Sequence, residues 1–179
     1  MRQIPRRIYT VGHSTRPIEG FTGLLKSYQI THLVDVRTIP RSRRNPQFNK
    51  ESLPRTLEVE SIRYTHLPGL GGLRKPQHDS ENTAWRNNSF RGYADYMGTP
   101  EFEQNLESLI ELVDSEPAVA IMCAEALPWR CHRSLIADAL LVRGFLVTDI
   151  LDAGKSQAHS LTPFAKVEGE QVSYPGDSE

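Results

Sequence analysis

Within eleven residues, from Cys123 to Arg133, this chain carries both of its cysteines together with Glu125, Arg130, His132 and Arg133. An apolar run ends at Cys123-Ala-Glu125, a Pro/Trp turn follows, and an amphipathic segment opens on Cys131-His132-Arg133-Ser134. A thiol placed beside arginines and a helix N-terminus ionises more easily, which makes Cys123 a candidate nucleophile. Six residues separate Cys123 from Arg130, one more than in the Cys-x5-Arg loop of phosphatases. The competing reading is an inert cysteine closing a core strand, since free cysteine is among the most buried residue types. Glu125 is a candidate acid or base: beside Arg130 or Arg133 it stays ionised and orients them, and desolvated it moves toward the general acid–base range. Cys123, Cys131 and His132, with His13 and His66, also permit a metal reading. The chain has neither a Cys-x2-Cys nor a His-x3-His spacing to support it.

Other polar residues stand at the ends of apolar runs. His13 and Ser14 follow the first run, with His13 a second candidate for moving a proton and Ser14 for touching a ligand. Asp35 closes the second, beside Arg37. The stretch Arg37–Arg44 packs four guanidiniums into eight residues, and arginine forks suit phosphate or carboxylate. Phe48 lies just beyond, where an aromatic ring stacks a base. Gly69-Leu-Gly-Gly72 matches neither Gly-x-Gly-x-x-Gly nor a P-loop, so no motif names a cofactor. Arg91 and Tyr93 sit in a long polar stretch, 73–98, of the kind that is functional or mobile.

The elements that must position these groups alternate. Strands are expected at Ile8–Gly12, His32–Val36, Tyr64–Leu67, Val119–Met122 and Phe145–Leu151. Helical spacing appears at Phe21, Leu24, Leu25 and Tyr28, over about Glu51–Glu58, from Thr99-Pro100 through Val113, and from Cys131 to Arg143-Gly144. The expectation is a three-layer α/β/α, Rossmann-like fold with a mostly parallel central sheet of about five strands. Residues 152–179 are polar, with a weak hairpin signal around Glu168-Gly169. The whole chain, 1–179, reads as one α/β domain with its core in 8–151. In such a sheet the carboxyl ends of the strands share one edge, where ligands bind.

Charged residues make up 24% of the chain and apolar ones 38%, with a formal charge of −1, which excludes a disordered or globally polyanion-binding protein. No apolar run reaches the roughly 20 residues of a membrane span, and two cysteines do not make a secreted disulfide framework. A cytoplasmic protein is the expectation.

An ordered set of short motifs resembles the domain-of-unknown-function 488 family. These are Gly12-His13-Ser14-Thr15, Asp35-Val-Arg37, Pro40-Arg-Ser42, Gln47-Phe48-Asn49, Leu70-Gly-Gly72, Phe90-Arg-Gly-Tyr93, Met122-Cys-Ala-Glu125, Cys131-His-Arg133 and Leu135-Ile-Ala137. The resemblance implies a compact α/β fold and strengthens His13, Ser14, Asp35, Arg37, Phe48, Arg91, Tyr93, Cys123, Glu125, Cys131, His132 and Arg133 as site residues. It brings no agreed activity. The leading expectation is a hydrolase or transferase acting on a phosphate-bearing nucleotide or nucleic-acid component. In it Arg37, Arg133 and the Cys131 helix N-terminus hold the anion and 73–98 serves as a lid. A noncatalytic nucleic-acid-binding module using Arg41, Arg43, Arg44 and Phe48, and a Cys/His metal protein, are the alternatives.

Overall fold

The computed structural model describes residues 4–177. Its main sheet has six strands, β1 (Arg7–Gly12), β2 (His32–Asp35), β3 (Arg63–His66), β4 (Val119–Cys123), β5 (Leu146–Asp152) and β6 (Lys155–Ala158), in the order β3-β2-β4-β1-β5-β6. The first five are parallel, and β6 pairs antiparallel with β5. β7 (Lys166–Glu168) and β8 (Gln171–Ser173) form a separate hairpin. Its two-residue turn starts at Gly169 with φ 63°, the positive φ that a tight type II′ hairpin turn needs at its first position.

Two apolar layers flank the sheet. Helices α1 (Ile18–Ser27) and α2 (Leu53–Val59) bury Phe21, Leu24, Leu25, Leu53 and Leu57 against one face. On the other face lie α3 (Asn88–Met97), α4 (Pro100–Ser115) and α5 (Arg133–Val142), which contribute Tyr93, Phe102, Leu106, Leu109, Leu135 and Leu140. α4 starts as its sequence specifies, with Thr99 accepting from the Phe102 N–H and Pro100 in the first turn. α5 ends in a Schellman motif: Gly144, at φ 90°, donates to Leu141 O and Phe145 donates to Leu140 O.

Three expectations are revised. The stretch 73–98 is not a loose lid, because its second half is α3, capped by Asn87 and packed through Gly92 against the backbone of Arg74 and Lys75. α5 begins at Arg133 rather than Cys131. The core extends past residue 151: Tyr174 is fully buried, with Trp85 and Phe164 against its ring.

The connections create the crevice. β1 and β2 lead to α1 and α2 on one face, while β4, which lies between them, leads to α5 on the other. Neighbouring loops therefore part above the carboxyl end of β4, the place where open α/β sheets take ligands. Cys123 is the last residue of that strand. No helix among the described residues is long and apolar enough to cross a membrane.

Candidate functional site

The crevice holds two cavities, of about 440 and 260 Å³, which share Arg37, Ile39, Ala124 and Glu125 in their linings. Cys123, Cys131, His132 and Arg130 line the larger one, and His13, Ser14 and Arg41 the smaller. Arg37, Ile39 and Glu125 border both. Strand β1 can end beneath this loop only because residue 12 is glycine. A Cβ there would collide with the Glu125 carbonyl and with Ala126 Cα. Ser14 then turns the chain with φ 51°, a left-handed conformation costing on the order of 1 kcal/mol for a non-glycine residue.

At the floor of the larger cavity, Cys131 Sγ lies 2.7 Å from Cys123 Sγ, and Arg133 Nη1 lies 2.6 Å from the same Cys123 sulfur. Burial alone would raise the Cys123 pKa. The thiol hydrogen bond from Cys131, together with the charge and N–H of Arg133, overcomes this and brings it down to about 7. Cys131 moves the opposite way: its hydrogen bond to Cys123, its burial and the neighbouring negative charge all raise it. Once one of the two thiols ionises, the charge rests on Cys123 beside Arg133 and the remaining proton on Cys131.

Arg133 is fully buried. Besides Cys123, its fork donates to the carbonyls of Glu125 and Ala126 and to Thr10 Oγ1, so four of the five N–H groups of a guanidinium are spoken for. This corrects the expectation that Arg133 grips a ligand. It is the counter-ion beneath the thiolate. The first turn of α5 is likewise engaged, with the Arg133 N–H on Cys131 Sγ and the Ser134 N–H on Cys131 O. The anticipated carboxylate contact between Glu125 and an arginine is absent among the described residues. It is the Glu125 carbonyl that meets Arg133, while the carboxylate accepts from the Leu127 N–H.

On the other side of the crevice, Arg37 makes a bidentate pair with the fully buried Asp35 (2.9 and 2.7 Å) and donates to Phe48 O. Tyr64 adds a hydroxyl to Asp35 at 2.5 Å. Arg37 Nη1 also approaches His13 Nε2 at 3.2 Å. A guanidinium only donates, so Nε2 accepts and Nδ1 carries the ring proton, which goes to Ser14 O at 2.8 Å. Burial, aided by the charge of Arg37, lowers the His13 pKa to about 4. His13 is therefore neutral with both nitrogens engaged, a prop for Arg37 rather than a free base. Arg37 keeps one uncommitted N–H, on Nη1.

His132 is held in the same manner. Its Nε2 donates to Val36 O at 3.0 Å, which leaves the Nδ1 lone pair beside Cys131 Sγ at 3.5 Å. Burial, with the charges of Arg133 and Arg74, lowers this ring to about 4. A Cβ on residue 72 would stand 3.1 Å from His132 Nδ1, so Gly72 keeps this flank of the ring open.

Three expected ligand contacts lie elsewhere. Phe48 is fully buried, stacked under His13 and against Phe21, and offers no face to a base. Tyr93 is also fully buried and spends its hydroxyl on Leu70 O. Arg91 donates to Trp85 O and does not line either cavity. Arg130 does line the larger cavity, is exposed, and forms no ion pair among the described residues. Ile39 and Leu73, 66% and 81% exposed, flank the mouth together with Phe90. Among the described residues no three His, Cys, Asp or Glu side chains are grouped to hold a metal, and the Arg133 cation against Cys123 opposes one there.

Sequence reasoning missed the support behind Arg133. Thr10 donates to Asp149 (2.6 Å), Asp149 faces His159, and His159 contacts Asp138 (2.7 Å), which also accepts from Tyr174 and Thr162. Asp138 is a carboxylate on the buried face of a helix, and that was the available signal.

Fold and site together define a doubly wound α/β protein with a strand-end cysteine in its crevice. Its sequence places it in a family: the model for Domain of unknown function DUF488 matches residues 17–140, and the chain belongs to that family. The matched span takes in Arg37, Cys123, Glu125 and Cys131 to Arg133 and stops short of Asp149 and His159. No curated protein and no solved structure matches the chain.

Proposed function

We propose that the crevice receives the phosphate of a nucleotide or nucleic-acid component and that Cys123 attacks it, making the protein a phosphate-ester hydrolase or transferase. The observation that carries this reading is the 2.6 Å contact between Arg133 and the Cys123 sulfur at the floor of a cavity rimmed by a free arginine. A thiolate near neutral pH is a strong nucleophile. Arg130 and the spare Nη1–H of Arg37 supply the charge for the phosphate oxygens. Ile39, Leu73 and Phe90 supply an apolar wall for a base or sugar. Among the described residues Glu125 is the one carboxyl bordering either cavity. In the reaction Sγ bonds to phosphorus as the ester P–O bond breaks, and the Glu125 carboxyl protonates the leaving oxygen. The resulting carboxylate then takes a proton from the water, or from the acceptor alcohol, that breaks the S–P bond.

The two unpaired thiols suit a reducing compartment, which accords with a cytoplasmic setting. The exposed Arg41, Arg43 and Arg44 remain as a surface for a longer strand, but the burial of Phe48 removes the stacking ring from it.

The test is alkylation of Cys123 against pH, with and without inorganic phosphate or adenosine monophosphate, beside turnover of p-nitrophenyl phosphate and nucleoside monophosphates. A midpoint near 7, protection by the anion and turnover lost in Cys123→Ser are expected. A reactive thiol that neither anion protects removes the phosphate from the reading. Steeply salt-dependent binding of single-stranded DNA without turnover would move the function to a binding module.

A further inference from the structure

We infer that Cys123 and Cys131 are a dithiol–disulfide couple, with Cys123 the sulfur that a hydroperoxide oxidises and Cys131 the thiol that resolves it. The inference shares the Cys123 thiolate with the proposed function and is independent of the phosphate.

A nucleophilic thiolate alone does not require a second thiol, and a buried thiol is a poor choice to stabilise one when a hydroxyl would serve. Here the partner is sulfur, 2.7 Å away, on the far end of the same strand-to-helix loop. Both cysteines are buried, yet both line the larger cavity, which gives a small oxidant open space beside them. The surroundings are asymmetric. Cys123 has the Arg133 guanidinium against it, and Cys131 has the lone pair of His132 Nδ1 at 3.5 Å. One side holds a negative sulfur in place; the other offers a hydrogen-bond acceptor to a thiol.

That asymmetry sets the order of events. The Cys123 thiolate attacks one oxygen of hydrogen peroxide, the O–O bond breaks, and hydroxide leaves and takes a proton from solvent, giving the sulfenic acid and water. Cys131 then attacks the Cys123 sulfur. Its proton goes to the departing hydroxyl, which leaves as a second water as the S–S bond forms. Two thiols and one peroxide become one disulfide and two waters, so electrons and atoms balance. The disulfide removes the thiolate that faces Arg133 and covalently closes the loop that walls both cavities, so oxidation silences the nucleophile reversibly and protects it from irreversible oxides.

The experiment treats the reduced full-length protein with stoichiometric hydrogen peroxide. Thiols are counted under denaturing conditions and the 123-to-131 peptide is read by mass spectrometry, before and after dithiothreitol. Loss of both thiols per chain, an intramolecular link between Cys123 and Cys131, and full recovery on reduction are expected. In Cys131→Ser the oxidation halts at a sulfenic acid that dimedone traps, and in Cys123→Ser peroxide leaves Cys131 untouched. Dimedone trapping as strong in the wild type as in Cys131→Ser would show that Cys131 does not resolve, and would overturn the inference. So would two thiols that persist through peroxide treatment. The wild-type measurement decides the matter even where a variant folds poorly. If Cys123 alkylates near neutrality and is shielded by phosphate yet no disulfide forms, this inference falls and the phosphate reading stands. A disulfide that forms in a protein indifferent to phosphate reverses the two.

Discussion

His159 donates a ring N–H to Asp138 across 2.7 Å. Its second nitrogen faces Asp149 at 3.6 Å, and Asp149 is joined through Thr10 to the Arg133 guanidinium. Charges therefore alternate through the interior, from the Cys123 thiolate to Arg133, Asp149, His159 and Asp138. Removing one member leaves its neighbours buried without a counter-charge, which is the expensive outcome for a buried ion. The chain also explains why the polar C-terminal segment is ordered. Thr162 and Tyr174 both donate to Asp138 and tie residues 159–174 onto α5.

This arrangement makes stability fall with rising pH through one identifiable group. Burial opposes the charge on His159, but its bonds to Asp138 and Asp149 and their negative charges prevail and raise its pKa from 6.5 to about 9. The folded state holds this proton more tightly than the unfolded chain. Its stabilisation is complete below 6.5 and is lost as pH climbs through about 9. Cys123, lowered from 9.0 to about 7, works in the opposite sense, its contribution being full at alkaline pH and lost as pH falls through about 7. The difference between wild type and His159→Gln in urea unfolding isolates the imidazole. The variant should be less stable by about 3 kcal/mol at neutral pH, with the gap closing toward about pH 10. A gap constant over that range would show that His159 is neutral in the fold.

Arg133 should govern the thiolate. In Arg133→Met the Cys123 alkylation midpoint rises from about 7 toward 9, and the rate at neutral pH drops by about tenfold or more. Loss of the buried cation also leaves the Glu125 and Ala126 carbonyls without their donor, so unfolding free energy should fall by about 3 kcal/mol or more. Arg133→Lys retains a charge without the fork, and its midpoint should lie between the two. An unmoved midpoint in both variants would assign the low value to some group other than Arg133.

Much of this was legible in the sequence, and the gaps have physical causes. Val119–Cys123 and the apolar faces of α1 and α4 are periodic enough to announce buried strands and amphipathic helices. Polar residues at strand ends, His13 and Cys123 among them, line the crevice cavities. α3 escapes notice because its buried face is built from Gly92, Tyr93 and Tyr96, whose hydroxyls bond the Leu70 and Gly69 carbonyls, so polarity there does not mean exposure. β6 is an exposed edge strand with no alternation to read. Arg133 follows a Cys-His pair at a helix start and so reads as a surface cation. Its depth is set by carbonyls of the 125–126 loop, which no spacing rule reveals. Phe48 sits in an arginine-rich loop, yet a 3-10 turn at Pro46–Phe48 folds its ring under His13.

Two glycine substitutions should separate close approach from mere chain flexibility. Gly12→Ala drives a methyl into the backbone of Glu125 and Ala126, which cannot yield as a side-chain tip would. A loss of about 3 kcal/mol and slower Cys123 alkylation follow, because the same loop positions the sulfur. Gly23→Ala lies in α1 with open space around the new methyl, and should stabilise the protein by roughly 0.5 to 1 kcal/mol. Thermal and urea unfolding of the pair gives the comparison. A tolerated Gly12→Ala would mean that the loop does not rest on β1.

Arg130 and Arg37 should divide ligand binding from folding. Arg130 is exposed and unpaired among the described residues, so Arg130→Ala should change stability by no more than about 0.5 kcal/mol. It should nevertheless weaken the protection that phosphate gives Cys123 against alkylation by about tenfold, the scale of one charge-assisted contact. Arg37→Ala leaves Asp35 buried with, among the described residues, only Tyr64 and the residue 37 N–H as donors. It should cost about 3 kcal/mol or more and disturb His13, which loses the donor to its Nε2. Phosphate protection is then lost together with structure, and no binding role can be read from Arg37→Ala alone. Protection undiminished in Arg130→Ala would remove Arg130 from the phosphate site, and the anion would have to be sought elsewhere on the protein.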